Sequence, residues 1–256
     1  MKLLGGPWAL DVNPQRGGRV ISLRLDGHEL LDQGIGVDDP SRDDFVAAGA
    51  WGWDEMVPTV DASRYPAGSA FAGLELPDHG EAWRLPWSVH DATPSSATME
   101  CKGARLPWRL ARRFELDDRA VHVAYTYANG GSQPLFAYWC SHVLFRYERG
   151  MTVDGVEGFA APRSGASHKL HLRPGSSSTA RLAWASGPAV EIAWDPALTP
   201  YVGVWVCDGD LGGYHQIAIE PATGGNDHPD RAAPPPIVEP GDEISWWLEI
   251  RAVDYR

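Results

Sequence analysis

Four short stretches of the chain place ionisable side chains beside apolar runs, where partial burial can tune their pKa values. They are residues 52–59, 78–87, 141–145 and 218–224. Their carboxylates and imidazoles are the side chains that can exchange protons near neutral pH. Each stretch alone is also typical of residues that only brace a loop or a strand end.

Glu220 has the most informative sequence context. It ends a predicted apolar strand over residues 216–219, and Pro221 restricts it to an extended backbone. Partial burial there would raise the basicity of the carboxylate.

The usual motifs of cofactor, phosphate and metal chemistry are missing from the sequence. His168 and His171 have a spacing that could bind a metal ion on a helix, but a strand turns them to opposite faces. The cysteines, which we interpret as reduced core residues of a cytoplasmic protein, are Cys101, Cys140 and Cys207. The sequence predicts no metal site and no cofactor.

Composition excludes several classes of function. The 256 residues carry 34 acidic and 22 basic side chains, a net charge of −12, whereas a nucleic-acid binder needs a basic surface. No apolar run approaches the ~20 residues that span a bilayer, and the first residues break after two leucines, too early for a signal peptide. We expect neither a nucleic-acid partner nor a membrane partner.

The elements that must position these residues are predicted to be strands. The 28 glycines and 21 prolines are spread along the chain, which leaves little room for long helices. Apolar and polar residues alternate over 20–25, 109–127 and 244–250, with a hairpin turn at 26–27. No amphipathic helix and no domain boundary is evident. We predict one all-β domain over residues 1–256, an antiparallel β-sandwich with long loops over one face.

Twelve tryptophans exceed what a core of this size requires. Most should fill the space between two sheets, because a buried indole removes a large apolar area from water. Trp51, Trp53 and Trp83 lie in loop-like stretches beside charged residues. For these three the alternative is a sugar site, where an indole covers the apolar C–H face of a pyranose.

The order of these motifs resembles that of the aldose 1-epimerase (galactose mutarotase) superfamily, and the resemblance covers almost the whole chain. The matching parts are the first strand at 18–23, Asp-His-Gly at 78–80, His-x-x-Phe at 142–145, a Glu-Pro strand at 219–221 and a closing turn at 238–243. Each motif alone is weak, but their shared order is hard to obtain by chance. The sequence is similar to a divergent branch of this superfamily.

The resemblance implies a β-supersandwich with a sugar-binding cleft, and it implies roles for three residues. His142 matches the family's general acid, Glu220 its general base and His79 a sugar-binding histidine. With the acid and the base side by side, the field of an ionised Glu220 would favour the charged form of His142. The implied function is a cofactor-independent epimerase that interconverts the α and β anomers of an aldose or a hexose derivative by ring opening. The expected partner is a small sugar, and the expected assembly is a monomer or a weak homodimer.

Two departures from the family pattern concern the sugar contacts. Relatives commonly place an Arg four residues after the His of His-Gly, where this chain has Trp83, and its Arg84 comes one residue later. One residue turns a strand side chain to the opposite face. The carboxylate that binds sugar hydroxyls has no clear match, and Asp54 or Glu55 could replace it, unless both only brace a loop. The predicted substrate-binding residues are His79, Asp54, Glu55, Arg84, Trp53 and Trp83.

Other functions fit the same residues. A carbohydrate-binding protein would keep the cleft without turnover, although the presence of both His142 and Glu220 favours an enzyme. A glycoside hydrolase or lyase on the same sandwich would need a second carboxylate ~5–9.5 Å from the first, which Asp54 or Glu55 could supply. A sugar phosphate is an alternative substrate, and the basic residues that could bind it, or simply form a solvated strand face, are Arg109, Arg112 and Arg113.

Overall fold

Strands make up nearly all the regular structure of the described chain, residues 1–185 and 187–253 of a computed structural model. They are β1 (Lys2–Gly5), β2 (Trp8–Asn13), β3 (Arg19–Leu25), β4 (His28–Glu29), β5 (Trp53–Met56), β6 (Ser63–Arg64), β7 (Glu75–Leu76), β8 (Ser88–Ala92), β9 (Ser96–Lys102), β10 (Trp108–Leu116), β11 (Ala120–Asn129), β12 (Leu135–Phe136), β13 (Cys140–Arg146), β14 (Thr152–Asp154), β15 (Ala166–His171), β16 (Thr179–Ala183), β17 (Ala189–Trp194), β18 (Tyr201–Asp208), β19 (His215–Ala222), β20 (Ile237–Val238) and β21 (Glu243–Val253). One short helix, α1 (Phe45–Gly49), interrupts this pattern. It was not predicted, because five residues are too few to show a helical period. In this part of the chain, no helix is long and apolar enough to cross a membrane.

Two large antiparallel sheets form the fold. The nine-stranded sheet runs in the order β1-β2-β3-β5-β13-β19-β18-β15, with β4 beside β3. The eight-stranded sheet runs in the order β14-β16-β17-β21-β11-β10-β9-β8, and β12–β20 and β6–β7 are short separate pairs. Apolar side chains from both large sheets meet in one buried layer. This architecture confirms the predicted antiparallel β-sandwich.

Side-chain alternation explains why these segments form strands. Buried positions alternate with half-buried or exposed ones along the whole of β10, and Leu110 lies opposite Tyr127 of β11, so apolar side chains share one face. The predicted hairpin joins β3 to β4. Asp26 and Gly27 have φ values of 50° and 81°, the left-handed conformations that a two-residue turn of type I′ requires.

Most of the tryptophans are core residues, as predicted. The almost fully buried ones are Trp8, Trp53, Trp83, Trp87, Trp108, Trp139, Trp184 and Trp194. Trp53 lies in β5 and not in a loop, whereas Trp51 is half-buried with the guanidinium of Arg19 4.9 Å from its ring. The predicted core cysteines are free and buried, namely Cys101, Cys140 and Cys207.

Candidate active site

A row of residues crosses the nine-stranded sheet at the level of His142 and Glu220. In the register of β13 against β19, these two residues lie directly opposite each other, midway between the pairs Cys140–Ala222 and Leu144–Ala218. On the outer sides, Asp54 of β5 lies opposite His142, and Gly203 of β18 lies opposite Glu220. His171 of β15 lies opposite Gly203. Since opposite residues on neighbouring strands share a face, the row presents an imidazole and a carboxylate to the same side.

The row borders a cavity of about 180 Å³. Its polar lining consists of Asp61, His79, His142, Lys169, Gln216 and Glu220. Its apolar and aromatic lining consists of Phe45, Val46, Ala50, Val60, Leu144, Trp205, Leu211 and Tyr214. A concave, mainly apolar site with a few convergent polar groups is typical of small-molecule binding. The structure thus brings the predicted residues His79, His142 and Glu220 to one site.

The two oxygens of Glu220, a residue only 1% exposed, have different surroundings. Oε2 lies 2.7 Å from Nζ of Lys169. Oε1 is 3.6 Å from Nε2 of His142, too far for a hydrogen bond, and no described residue donates a hydrogen bond to it. Burial raises the pKa of Glu220, and the ammonium of Lys169 acts against this. Oε2 therefore has a cation in contact with it, and Oε1 has no hydrogen-bond partner among the described residues.

The backbone around Glu220 differs from the sequence-based expectation. β19 does not end at Glu220 but continues to Ala222. Pro221 is tolerated inside the sheet because β13 and β19 are not paired over residues 219–221, where proline has no N–H to donate. The interruption in this ladder lies at the level where Glu220 and His142 face each other.

His142 is buried against two rings. Phe45 and His79 both meet it edge-on, each with its ring centroid 5.3 Å away. Burial, together with the neighbouring His79 and Lys169, lowers the pKa of His142 well below its ordinary value. The expectation that the charge of Glu220 favours a protonated His142 is therefore wrong, because burial has the largest influence on this pKa and favours the neutral imidazole.

His79 is held in an unusual conformation. Its φ of 56° lies in the left-handed region, which few residues other than glycine adopt. Nδ1 lies 2.9 Å from Oδ1 of Asp78, and Oδ2 of Asp78 accepts a 2.8 Å hydrogen bond from the backbone N–H of Phe45. Phe45 stacks on the imidazole with ring centroids 4.3 Å apart. Asp78 and Phe45 thus orient His79 and leave its Nε2 for a ligand.

Asp54 and Glu55 are adjacent in β5 and therefore face opposite sides of the sheet. Asp54 lies on the same face as His142, but its carboxylate accepts hydrogen bonds from Nε of Arg19 and is 2.7 Å from Nη2. Glu55 faces the core between the sheets, with Oε1 2.7 Å from Nη1 of Arg112. Neither acid lines the cavity, and the buried Arg112 is not on a solvated strand face. We therefore omit all three from the proposed site.

Trp53, Trp83 and Arg84 also lie outside the cavity lining. Nε1 of Trp53 donates a hydrogen bond to Oγ of Ser141 in the core. Trp83 packs edge-on against Phe45, with ring centroids 5.1 Å apart, and the guanidinium of Arg84 lies 4.5 Å from the Trp83 ring. Trp83 and Arg84 thus support the lining residue Phe45 from outside the cavity, whereas Trp53 belongs to the core.

Sequence reasoning missed Lys169. Strand alternation carried the signal, because Lys169 and His171 share one face of β15 whereas His168 does not. Nζ of Lys169 lies 2.9 Å from Oδ2 of Asp227, and so does Nε2 of His171. Within the described ranges, no cluster of His, Cys, Asp and Glu could hold a metal ion. Of the two histidines, His171 therefore belongs to an ion-pair network with Asp227 and Lys169.

Comparison with known proteins finds similarity in structure only. No protein-family model matches the chain, and no curated protein matches it by sequence. The Slr1438 protein from Synechocystis sp. PCC 6803 superposes with a TM-score of 0.80 at 18% identity, covering 100% of this chain and 96% of that one. A galactose mutarotase-like protein from Lactobacillus casei ATCC 334 superposes with a TM-score of 0.73 at 17% identity, covering 99% of each chain.

A third solved structure extends the similarity to an animal protein. The GalM/aldose epimerase homologue from C. elegans superposes with a TM-score of 0.65 at 14% identity, covering 100% of this chain and 99% of that one. The chain has the galactose mutarotase-like fold. This fold confirms the architecture that the sequence resemblance implies, and within it β13 and β19 carry His142 and Glu220 at adjacent positions.

Proposed function

We propose that this protein is a cofactor-independent sugar epimerase that interconverts the α and β anomers of an aldose or a hexose derivative. The observation that carries the proposal is the placement of His142 against Glu220 across neighbouring strands, with Nε2 and Oε1 3.6 Å apart at the edge of the cavity. The galactose mutarotase-like fold supports the same reaction class by analogy.

Anomer exchange needs one base and one acid. Oε1 of Glu220 takes the proton of the anomeric hydroxyl, and the bond from C1 to the ring oxygen breaks as the carbonyl forms. His142 gives the proton on Nε2 to the ring oxygen. Rotation about C1–C2 presents the other face of the carbonyl, and the reverse transfers close the ring. Both residues return to their starting protonation, so the cycle consumes no cofactor.

The active protonation state combines a Glu220 carboxylate with a His142 imidazolium. Because the pKa of His142 lies well below its ordinary value, the imidazolium is the minor form at neutral pH, and its share grows as the pH falls. As the pH falls further, Glu220 becomes protonated, so the base is lost and the rate falls again. The rate should therefore follow a bell-shaped pH profile whose two limbs belong to the coupled pair.

The lining of the cavity offers groups for both the hydroxyls and the apolar C–H face of a pyranose. Nε2 of His79 can bind a sugar hydroxyl, since Asp78 already occupies Nδ1. The half-buried Trp205 gives the cavity an aromatic wall that can cover the C–H face of the ring. This combination supports a small sugar as the ligand of the site.

The test follows the exchange of anomers directly. Anomerically pure aldoses, hexose derivatives and sugar phosphates are added to the purified protein, and equilibration is followed by polarimetry or NMR. We expect at least one sugar to equilibrate faster than in buffer. Glu220→Gln and His142→Gln, checked for folding by circular dichroism, should each lower the rate by about 10²–10⁴-fold.

Three results would change the proposal. A folded variant with an undiminished rate removes that residue from the mechanism. Binding of a sugar without faster equilibration by the wild-type protein overturns the epimerase and supports a carbohydrate-binding protein. Release of an aglycone from a glycoside supports a hydrolase.

A further inference from the structure

The carboxylate of Glu220 belongs to a line of four polar groups. Nζ of Lys169 lies 2.7 Å from Oε2 of Glu220 and 2.9 Å from Oδ2 of Asp227. The same oxygen of Asp227 lies 2.9 Å from Nε2 of His171, whose side chain is 51% exposed. The line therefore runs from the wall of the cavity to the protein surface, with a cationic group beside each carboxylate.

Gly203 leaves the space through which Lys169 reaches Glu220. β18 lies between β15 and β19, so a lysine on β15 must cross the backbone of β18 to meet a side chain on β19. A Cβ atom at Gly203 would lie 2.7 Å from Oε2 of Glu220 and 2.9 Å from Cε of Lys169. The contact between the lysine and the glutamate therefore depends on a glycine at this position.

Burial and charge act on Glu220 in opposite directions. Removing a carboxylate from water favours its neutral form, whereas an ammonium in contact with it favours the ionised form. Burial raises the pKa of Glu220, and Lys169 is the main opposing influence. Burial acts to lower the pKa of Lys169, but Glu220 and Asp227 raise it above its ordinary value. The ammonium is therefore charged throughout the pH range in which Glu220 titrates.

Other titratable groups also face this carboxylate from the elements packed around it. They are His142 and Cys140 of β13, Tyr138 just before that strand, His79, His171 and Asp227. Cys140 and Tyr138 are neutral, because burial raises their pKa values well above the ordinary range. The pKa of His142 is lowered, so it is mainly neutral as well. Lys169 is thus the permanent cation in contact with Glu220.

We propose that Lys169 is the positioning residue of this site: it keeps Glu220 ionised and holds Oε2, so that Oε1 faces the cavity and His142. Asp227 anchors Lys169 from its far side. The inference rests on the proposed function only for the role of Glu220 as the base. Without the ammonium, a carboxylate this deeply buried would hold its proton and could not accept one from a hydroxyl.

Two variants should move the titration of Glu220 in opposite directions. Lys169→Met keeps the length of the side chain and removes the ammonium, so Glu220 should take up its proton about 1–3 pH units higher. Asp227→Asn removes a charge that raises the pKa of Glu220, so the proton should bind at a lower pH. Asparagine also tolerates the φ of 56° at this position. The matched control is Lys102→Met, since that side chain is 70% exposed on β9.

The experiment is a pH titration of the Glu220 carboxyl carbon by ¹³C NMR in glutamate-labelled protein, with Glu220→Gln identifying the signal. We expect the midpoint to rise in Lys169→Met, to fall in Asp227→Asn and to stay in place in Lys102→Met. Lys169→Arg should restore part of the shift, because it restores the charge without the ammonium geometry. An unchanged midpoint in Lys169→Met would overturn the proposal.

Gly203→Ala repeats the test if Lys169→Met does not fold. The added methyl group displaces the lysine from Oε2 while leaving every charge in the protein, so the midpoint should again rise. A folded Gly203→Ala protein whose Glu220 titrates as in the wild type would equally overturn the proposal.

The rate profile separates this proposal from the proposed function. In Lys169→Met the profile should move to higher pH together with the NMR midpoint, whereas a merely structural role would lower the rate equally at every pH. Shifted midpoints in a protein that exchanges no anomers overturn the epimerase and support the role of Lys169. Anomer exchange with unshifted midpoints supports the epimerase and overturns the role of Lys169.

Discussion

Glu55 and Glu220 are both fully buried carboxylates in the nine-stranded sheet, and each pairs with a cation, but they face opposite sides of that sheet. Arg112 reaches Glu55 from the eight-stranded sheet, with Nη1 2.7 Å from Oε1. Lys169 reaches Glu220 along the same sheet, with Nζ 2.7 Å from Oε2. Burial and an ion pair at this distance therefore occur in the core and at the cavity alike.

The two sites differ in the further hydrogen bonds that their carboxylate oxygens accept. At Glu55, Oε1 also accepts a hydrogen bond from the hydroxyl of Tyr125, and Oε2 accepts one from Nε1 of Trp139, at 2.9 and 2.7 Å. At Glu220, a residue that lines the cavity, Oε1 has no hydrogen-bond partner in the described ranges. We call Glu55 with Arg112 the closed pair and Glu220 with Lys169 the open pair. The closed pair can stabilise the fold, whereas the open pair can also accept a proton from a substrate.

Removal of the cation from the closed pair should have the largest effect. Arg112→Met leaves the charge of Glu55 in the core without a cation and should lower the free energy of unfolding by about 3–5 kcal/mol, measured by urea denaturation. Arg113→Met is the control, because Arg113 is the next residue of β10 and its side chain is 45% exposed. That variant should change stability by less than about 0.5 kcal/mol. Equal losses in both variants would contradict a stabilising role for the closed pair.

At the open pair, loss of the carboxylate should affect the rate more than the stability. Glu220→Gln removes the charge and should lower the rate of anomer exchange at least ~10²-fold while sugar binding is retained. Lys169 keeps Asp227 as a partner, so the free energy of unfolding should change by less than about 1 kcal/mol. Glu55→Gln is the matched variant, which should lose stability and keep the rate of the folded protein. The comparison fails if Glu55→Gln loses rate and Glu220→Gln loses only stability.

Asp227 distinguishes the open pair through a smaller, pH-dependent effect. Burial acts to raise its pKa, but the hydrogen bond to His171 and the charge of Lys169 lower it below the ordinary value. A carboxyl with a lowered folded pKa stabilises the fold above its unfolded pKa of ~3.9 and loses this contribution as the pH falls. Asp227→Asn should therefore be about 1–2 kcal/mol less stable at neutral pH, and the difference should shrink progressively as the pH falls below about 4 toward the lowered folded pKa. Urea midpoints across this range measure it, and a constant difference contradicts the linkage.

The fold class could be predicted because alternation is a property of a single strand. In β21 every second residue from Ile244 to Ile250 is apolar, and a side chain's face depends only on its position along its own strand. The turn at Asp26 needs only two neighbouring residues with left-handed backbone. Such local patterns determine strands and hairpins without knowledge of the pairing partner.

The candidate site could be predicted only in part, because it depends on registers between strands. Asp54 and Glu55 remained equivalent choices until the register of β5 against β13 placed Asp54 beside His142. Lys169 could not be linked to Glu220 from the sequence. Their contact crosses a third strand, β18, and is possible only because Gly203 of that strand has no side chain. No local pattern reports a contact of this kind. The resemblance named the imidazole and the carboxylate but not Lys169, which pairs with the carboxylate from the side away from His142.

The carboxylate of Asp78 connects the loop that carries α1 to the imidazole of His79. It accepts a hydrogen bond from the backbone N–H of Phe45 and contacts Nδ1 of His79. The loop that carries α1 therefore cannot lift from the cavity without breaking a bond to the side chain that orients His79. Exchange of the Phe45 amide hydrogen for deuterium then measures how often that bond opens. A single backbone amide thus reports how often His79 is held in place in the protein without a ligand.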